Sequence, residues 1–374
     1  MRNILVVVGT RPEAIKMAPL VRRLQQSSNF AVTVCSTGQH QEMIHQVFRL
    51  FQIEPDIDLH LMQPDQTLSD LTARVLHGMD RILRQNRPDR VLVQGDTTTT
   101  FATSLAAYYQ KIPVGHVEAG LRTGDIYAPW PEEINRRLTD AIADRLYAPT
   151  AQSRDNLLRE GAKAESIMVT GNTVIDALLD VVNGPLADAS TIAKLRERFR
   201  FLDAGKKMIL VTCHRRESFG DGFRNVCAAL SKLADRGDVQ IIFPVHLNPN
   251  VRAVFRQLDQ HLNVSLTEPL DYLEFVFMLS ACHCVLTDSG GIQEEAPSLG
   301  KPVLVMRGVT ERPEAIAAGT VKLVGTETNV ICAAAAEILD NPSIHQKMSS
   351  IHNPYGDGRA CERIISSLCE EVSR

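Results

Sequence analysis

The sequence predicts an α/β protein of two domains, each built on a doubly wound parallel sheet. The chain has 374 residues, which is enough for two domains with full-sized cores. Short continuous apolar runs alternate with segments of helical period, the pattern of parallel strands covered by helices on both faces. This alternation occurs twice, on either side of a polar, charged stretch at 183–207. The repetition is what predicts two similar halves.

The first half begins close to the N-terminus. Ile4–Val8 is predicted to be a buried strand, and Ala14–Leu24 a helix with Pro12 as a plausible first helical residue. A second helix is predicted at Thr97–Tyr109. The other strands of this half are predicted at 31–36, 90–94, 113–118 and 168–170.

The second half repeats this pattern after residue 207. Its strands are predicted at 208–212, 240–244, 284–287 and 302–306. The segment "NPYGDG" (353–358) is interpreted as a structural turn before a last helix. We therefore assign residues 1–170 to the first domain and 171–358 to the second, with the boundary placed somewhere around 170–205.

Composition excludes several classes of protein. The chain is 44% hydrophobic and 22% charged, with a formal net charge of −4 and scattered basic residues, so no nucleic-acid partner is expected. The N-terminus enters a strand directly, and no apolar stretch is long enough to cross a membrane. The eight cysteines form no CxxC pair and show no zinc spacing, which predicts reduced thiols, no metal and a cytoplasmic protein.

Polar residues cluster where predicted strands end. Gly9-Thr10-Arg11, Gly95-Asp96, Glu118, the segment at 213–216 and Asp288-Ser289 each follow such a strand. Open parallel sheets bind ligands at the carboxyl ends of their strands. Because both halves share this feature, we expect the site in the cleft between them.

The stretch "GTRPEAIKMAP" (9–19) combines a glycine turn with two cations. Arg11 can contact phosphate in bidentate fashion, and Lys16, about one turn into the helix, adds a point charge. A turn followed by a solvated helix face explains the same residues equally well. The stretch contains neither a dinucleotide fingerprint nor a P-loop, and no cofactor is expected.

Three further stretches in the first half carry carboxylates. Asp96 lies in "GDTTTT", where a plain helix N-cap is the alternative interpretation, and Glu118 lies in "HVEAGLRTGD". Glu132 and Glu133 are predicted to lie in a loop interrupted by prolines that reaches over the other two. Carboxylates brought together raise one another's pKa, which suits acid–base catalysis.

In the second half, "LTDSGGIQEEAPSLG" (286–300) places two glycines at a strand-to-helix junction. The glycines allow a ligand to approach the backbone, and a helix N-terminus there would attract an anion. Glu294 and Glu295 would repel that anion unless they bind another part of the same ligand, such as hydroxyl groups. Nearby, His214 is interpreted as an anion-binding group or general acid, whereas His246 carries little weight alone.

Taken together, these stretches resemble the non-hydrolysing UDP-N-acetylglucosamine 2-epimerases, over essentially the whole chain. The motifs occur in the family order: GTRPEAIKMAP, GDTTTT, GHVEAGLRT, PWPEE, GNTVIDAL, HRRE, LTDSGGIQEEAPSLGKPVL, TERPEA and NPYGDG. The resemblance implies the two-domain GT-B fold, with the last helix, 359–374, returning to the first domain. It also implies a homodimer that interconverts UDP-GlcNAc and UDP-ManNAc for bacterial cell-envelope polysaccharide.

The resemblance also implies roles for individual residues. Asp96, Glu118, Glu132 and His214 match the catalytic groups, with the order of acid and base left open. Gln39 and His246 match a regulatory UDP-GlcNAc site that some members carry, although Asp65 departs from the basic residue found in some relatives. The residues that match the remaining substrate contacts are Arg11, Lys16, Leu270, Phe275, Ser289, Gly290, Gly291, Glu295 and Arg312.

The implied reaction eliminates UDP to give 2-acetamidoglucal and then adds it back with C2 inverted. The main alternative is a GT-B glycosyltransferase with the same UDP site. A hydrolysing epimerase and a non-enzymatic UDP-sugar sensor are further alternatives. Carboxylates beside a diphosphate weaken binding unless they take part in the chemistry, which argues against a sensor.

Overall fold

The structure is a computed structural model that describes residues 1–38, 41–63, 66–213, 220–245, 255–310 and 312–370. It divides into two compact units, Met1–Ala177 with Tyr355–Arg374, and Leu178–Pro354. Across the described ranges, every helix is too short or too polar to pass through a bilayer.

The first unit contains a seven-stranded sheet in which all neighbouring strands are parallel. Its strands are β1 (Arg2–Val8), β2 (Phe30–Ser36), β3 (Ile57–Asp58), β4 (Arg90–Gln94), β5 (Val114–Val117), β6 (Arg145–Ala148) and β7 (Ile167–Val169). The spatial order is β3-β2-β1-β4-β5-β6-β7, so the direction of winding reverses between β1 and β4. A reversal of this kind opens a crevice at the carboxyl ends of the two strands.

Helices separate the strands of this unit. They are α1 (Arg11–Gln26), α2 (Gln41–Phe51), α3 (Leu68–Asn86), α4 (Thr98–Tyr109), α5 (Glu132–Ile142), α6 (Ala151–Arg159), α7 (Thr173–Asn183, in which the division between the units falls) and, at the C-terminus, α15 (Ala360–Glu370). One core under α3 and α4 includes Leu5, Val75, Met79, Val91 and Ala106.

The C-terminal helix α15 belongs to the first unit and packs against α1. Its N-terminus is capped by Asp176, whose carboxylate accepts the backbone N–H groups of Ala360 at 3.1 Å and Cys361 at 2.9 Å. Burial raises the pKa of Asp176. Arg363 adds a hydrogen bond to the Thr170 carbonyl at 2.8 Å. These contacts give "GNTVIDAL" a structural role in holding α15.

The second unit contains a six-stranded parallel sheet in the order β10-β9-β8-β11-β12-β13. Its strands are β8 (Lys207–Thr212), β9 (Val239–Pro244), β10 (Val264–Thr267), β11 (Cys284–Thr287), β12 (Val303–Val305) and β13 (Val321–Leu323). Its helices are α8 (Ala189–Arg198), α9 (Asp221–Ala234), α10 (Tyr272–Ala281), α11 (Gly290–Ser298), α12 (Pro313–Ala318), α13 (Thr328–Asp340) and α14 (Pro342–Ser349). Here winding reverses between β8 and β11.

The predicted fold class, two doubly wound parallel sheets, is confirmed. The strands at 90–94 and 284–287 have the predicted limits, and the others differ by one or two residues. The prediction of a loop around Glu132 was wrong. Glu132 and Glu133 lie in the first turn of α5, and not in a loop, because the prolines at 129 and 131 precede the helix and do not interrupt it.

Candidate active site

The turn between β1 and α1 is closely packed. A Cβ atom at Gly9 would collide with the side chain of Thr99, so only glycine fits there. Arg11, half-buried, is the first residue of α1 and follows the N-cap Thr10. The turn therefore places a guanidinium beside a helix N-terminus, where two features favour an anion.

Glu13 lies beneath this turn and is almost completely buried. Its Oε2 accepts the backbone N–H groups of Gly9 and Thr10, both at 2.6 Å. Its Oε1 accepts the hydroxyls of Thr97 at 2.5 Å and Thr100 at 3.0 Å. Burial raises the pKa of Glu13, and these four hydrogen bonds act in the opposite direction. One carboxyl group thus ties the turn after β1 to the turn after β4.

Glu118 follows β5 and forms the centre of a hydrogen-bonded cluster. Its backbone has a φ of 69°, an unusual value for a residue with a side chain. Lys16 donates to both of its carboxylate oxygens, at 2.6 and 2.7 Å. Gln94 donates to Oε2, and Asn172 donates to Oε1 at 2.8 Å. The structure therefore brings together Lys16 and Glu118, which are 102 positions apart.

Asp96 follows β4, the strand next to β5. Arg136 of α5 donates from Nη2 to Asp96 Oδ2 at 2.5 Å, and Asn135 donates to the Asp96 carbonyl at 3.0 Å. The Asp96 side chain remains 27% exposed. The interpretation of Asp96 as a simple N-cap is wrong, since Thr97 is the N-cap of α4 and accepts the Thr100 N–H.

The two glutamates at the start of α5 differ in their surroundings. Glu132 is half-buried, whereas Glu133 is fully buried and accepts the backbone N–H groups of Thr123 and Gly124 at 3.1 and 3.2 Å. Glu133 therefore holds the preceding loop in place, and Glu132 is the more exposed of the two carboxylates.

His116 lies on β5 and is completely buried. Its Nδ1 is 2.6 Å from Asp140 Oδ1, and its Nε2 is 2.7 Å from the Gly95 carbonyl oxygen. Both partners are acceptors, so both contacts are hydrogen bonds only when the ring carries two protons. His116 and Asp140 together hold the Gly95-Asp96 turn in place.

In the second unit, Ser289 is the N-cap of α11, and the two glycines are its first residues. Among the described residues, a Cβ atom at Gly291 would lie 3.9 Å from Glu295 Oε2 and 4.0 Å from Ser289 Oγ. The first N–H groups of a helix have no partner within the helix, so this N-terminus can receive an anion.

The two glutamates of α11 accept hydrogen bonds from different donors. Glu294 is completely buried and accepts a hydrogen bond from Arg312 Nε. Glu295 accepts the Tyr272 hydroxyl at 2.7 Å. The cation Arg312 therefore offsets one of the two charges that would repel an anion. Of the other predicted contacts, Leu270 is buried and Phe275 is half-buried on α10.

Some predicted residues lie outside the described residues: Gln39, Asp65, His214 and His246. Among the residues that the structure does describe, no three His, Cys, Asp or Glu side chains converge to hold a metal ion.

Sequence reasoning missed the residues that hold the catalytic candidates. The spacing Thr10-x-x-Glu13 is a capping-box signal and could have identified Glu13. Asn172 occurs inside GNTVIDAL, which was recognised without a role for that residue, and Arg136 lies three residues after PWPEE. No sequence signal identifies the contacts of Gln94 or Tyr272, because their partners lie 24 and 23 positions away and depend on the tertiary fold.

Comparisons with known proteins add to this geometry. A family model described as UDP-N-acetylglucosamine 2-epimerase matches residues 22–369. A protein of that name from Salmonella typhimurium is 58% identical over 98% of this chain and 98% of its own. The crystal structure of UDP-GlcNAc 2-epimerase from Neisseria meningitidis bound to UDP-GlcNAc has a TM-score of 0.94 and 49% identity, covering 98% and 100% of the two chains. The S. aureus MnaA–UDP co-structure has a TM-score of 0.91 and 44% identity, covering 100% and 97%.

Proposed function

The chain belongs to the UDP-N-acetylglucosamine 2-epimerase family, and from that premise we propose how it inverts C2 of UDP-GlcNAc. UDP leaves C1 as C2 loses its proton, and the resulting 2-acetamidoglucal and UDP recombine with C2 inverted. The observation that supports this proposal most directly is the pair of carboxylates at the ends of β4 and β5, Asp96 and Glu118, with Lys16 bound to the second.

The substrate's chemistry explains why elimination is needed. No carbonyl is conjugated with C2, so simple removal of its proton would leave an unstabilised carbanion. A positioned base contributes roughly 10²–10⁴ in rate, or about 3–5 kcal/mol. Enzymes generally require at least about 8 kcal/mol. Stabilisation of the departing diphosphate must supply the difference.

We assign the sugar end of the substrate to the first unit. Asp96, Glu118 and Glu132 are the candidates for proton transfer at C2. Lys16 and Arg11 provide positive charge for the departing diphosphate, together with the N-terminus of α1. Because Lys16 also donates to Glu118, a single cation stabilises both a carboxylate and the leaving group.

We assign the nucleotide end to the second unit, where the described carboxylates Glu294 and Glu295 accept hydrogen bonds from Arg312 and Tyr272. Ser289, Gly290 and Gly291 would bind the diphosphate through the α11 N-terminus, and Glu295 would accept the ribose hydroxyls. Arg312 would complete the anion site, and Leu270 and Phe275 would contact the uracil. The family resemblance assigns His214 to the same anion. The Neisseria and S. aureus structures were solved with UDP-GlcNAc and with UDP respectively, which supports a UDP-sugar as the ligand.

The match to epimerases over almost the whole chain favours epimerisation over the glycosyltransferase alternative. Proton NMR of UDP-GlcNAc and the protein in D2O tests the reaction. We expect the C2 proton signal to disappear from both sugars while UDP-ManNAc signals appear. Transfer or simple binding would leave C2 unlabelled, and a hydrolysing enzyme would release free ManNAc and UDP. Any of those results would contradict the proposal.

We also propose that the protein is a homodimer that works in the cytoplasm and supplies ManNAc units for cell-envelope polysaccharide. All eight cysteines are free thiols, which fits a reducing compartment. Large apolar side chains are exposed on α5 and the loop before it: Tyr127 (74%), Trp130 (63%), Leu138 (43%) and Ile134 (38%). Ile134 and Leu138 lie one turn apart on the same face of α5, which suits contact with a second copy.

Charge on this face should dissociate the dimer. We expect light scattering to give wild-type protein twice the 41.4 kDa chain mass, and the double variant Ile134→Glu/Leu138→Glu to give a single chain at micromolar concentration, since apolar anchors dominate interfaces. Leu158→Glu on α6 is a matched control, because Leu158 is 40% exposed. A double variant that remains a dimer would show that the interface lies elsewhere.

A further inference from the structure

We propose that Arg136 is a positioning residue that places a cation beside Asp96 and holds one of its carboxylate oxygens, leaving the other for proton transfer. The inference rests on the proposed function, in which Asp96 exchanges the proton at C2. It assigns a role to α5 beyond carrying Glu132, since the same helix would position a second carboxylate, that of Asp96.

The Asp96–Arg136 pair has one buried end and one open end. Arg136 Nη2 donates to Asp96 Oδ2 at 2.5 Å, and only 6% of the Arg136 side chain is exposed, against 27% for Asp96. Within the described ranges, Asp96 Oδ1 has no hydrogen-bond partner. The guanidinium therefore occupies Oδ2 and leaves Oδ1 as the oxygen proposed to meet a reacting atom.

Arg136 has two anions beside it, Asp96 and Glu133. Its Nε and Nη1 atoms are buried and make no hydrogen bond to any described residue, although Nη1 lies 3.4 Å from Glu133 Oε2. A buried guanidinium is costly unless paired with an anion. The Nη2 atom donates to Asp96, so the contact places a cation directly beside one candidate acid–base group.

The backbone of Asp96 is held by the same helix. Asn135, adjacent to Arg136 on α5, donates to the Asp96 carbonyl at 3.0 Å. Because α5 begins at Glu132, one rigid element positions two of the three candidate acid–base groups.

Other charged side chains on the elements around the Gly95-Asp96 turn have partners of their own. Lys16 binds Glu118, and the Glu13 carboxyl accepts from Thr97 and Thr100. The charged groups on α1, at the end of β5 and on the first turns of α5 are Arg11, Glu13, Lys16, Arg22, Arg23, Glu118, Glu132, Glu133, Arg136 and Arg137. Of these, Arg136 is the cation in contact with Asp96.

The test is the pH dependence of kcat/KM for UDP-GlcNAc in wild type, Arg136→Gln and Arg137→Gln. Arg137 is the matched control, because it lies 3.4 Å from Glu133 and 3.7 Å from Glu160 but does not contact Asp96. We expect Arg136→Gln to lower kcat by roughly 10- to 10³-fold. The acidic limb of the kcat/KM profile should move upward by about one pH unit or more, because the carboxylate loses a neighbouring positive charge. UDP affinity should remain within a few-fold, and the Arg137→Gln profile should overlay that of wild type.

A lower kcat with an unmoved acidic limb would overturn the proposal, since a purely structural role predicts that result. Should Arg136→Gln fail to fold, Arg136→Lys decides: its ammonium keeps the charge without the planar fork, and we expect a smaller shift in the same direction. An unshifted limb in that variant also overturns the inference. A wild-type protein that makes no UDP-ManNAc would instead refute the proposed function itself.

Discussion

Asp96→Asn is expected to lower kcat for C2 epimerisation by about 10²–10⁴-fold, the contribution of a positioned acid–base group. Asparagine keeps the size of the side chain and retains a carbonyl oxygen for Arg136, so the local fold should survive. It cannot accept a proton from carbon. UDP affinity should stay within a few-fold, because the proposed nucleotide site lies in the other unit. Formation of UDP-ManNAc and uptake of deuterium at C2 would be measured in the same reaction.

Asp80→Asn is the control for this substitution. Asp80 lies on α3, where it accepts hydrogen bonds from Arg84 and Gln110, and its loss should leave kcat unchanged. Wild-type-like turnover in Asp96→Asn would discredit the assignment of Asp96. A joint loss of turnover and UDP binding would show that Asp96 supports the fold or the nucleotide rather than the proton transfer.

Glu118→Gln is a less direct test, although it should also abolish most turnover. Glu118 accepts from Lys16, Gln94 and Asn172. An amide in its place would present a donor to Lys16 and displace that cation, so both proton transfer and leaving-group stabilisation would change. The measured loss would therefore combine two causes that Asp96→Asn separates.

The sequence predicted nine of the thirteen described strands because buried parallel strands are continuous apolar runs, and it missed the short strands β3, β6, β10 and β13. It also failed where proline was the only local signal. Pro129 and Pro131 indicated a broken loop around Glu132, yet proline is also favourable before the first turn of a helix, and α5 begins there. The local sequence pattern does not distinguish a loop from a helix that begins directly after the prolines.

The partners of the catalytic candidates were harder to predict, for a different reason. Lys16 meets Glu118 because the winding of the sheet reverses between β1 and β4, which brings α1 beside the end of β5. Arg136 meets Asp96 because α5 packs against α4. Both contacts depend on tertiary topology, whereas spacing along the chain reports only on a residue's own helix or strand.

Glu13→Gln is expected to lower the free energy of unfolding by about 2–4 kcal/mol, because two or more buried donors would lose their acceptor. Four donors from the turns after β1 and β4 converge on this one carboxyl group. The amide of glutamine keeps one acceptor oxygen and turns an NH₂ group toward the remaining donors. Since these turns carry Arg11 and Asp96, turnover should fall as well. Glu362→Gln, in the exposed first turn of α15, should change stability by no more than about 1 kcal/mol.

The difference in free energy of unfolding between wild type and Glu13→Gln should depend on pH. The direction follows from the pKa of Glu13, which burial raises. A carboxyl group whose pKa is higher in the folded state stabilises the fold fully below its ordinary pKa, and that contribution is lost as pH rises through the raised value. Glutamine does not titrate, so the deficit of Glu13→Gln should be largest near the ordinary carboxyl pKa and shrink toward neutral pH. Urea unfolding of both proteins across this range measures it. A deficit that grows with pH would mean that the four hydrogen bonds outweigh burial and hold Glu13 as an anion.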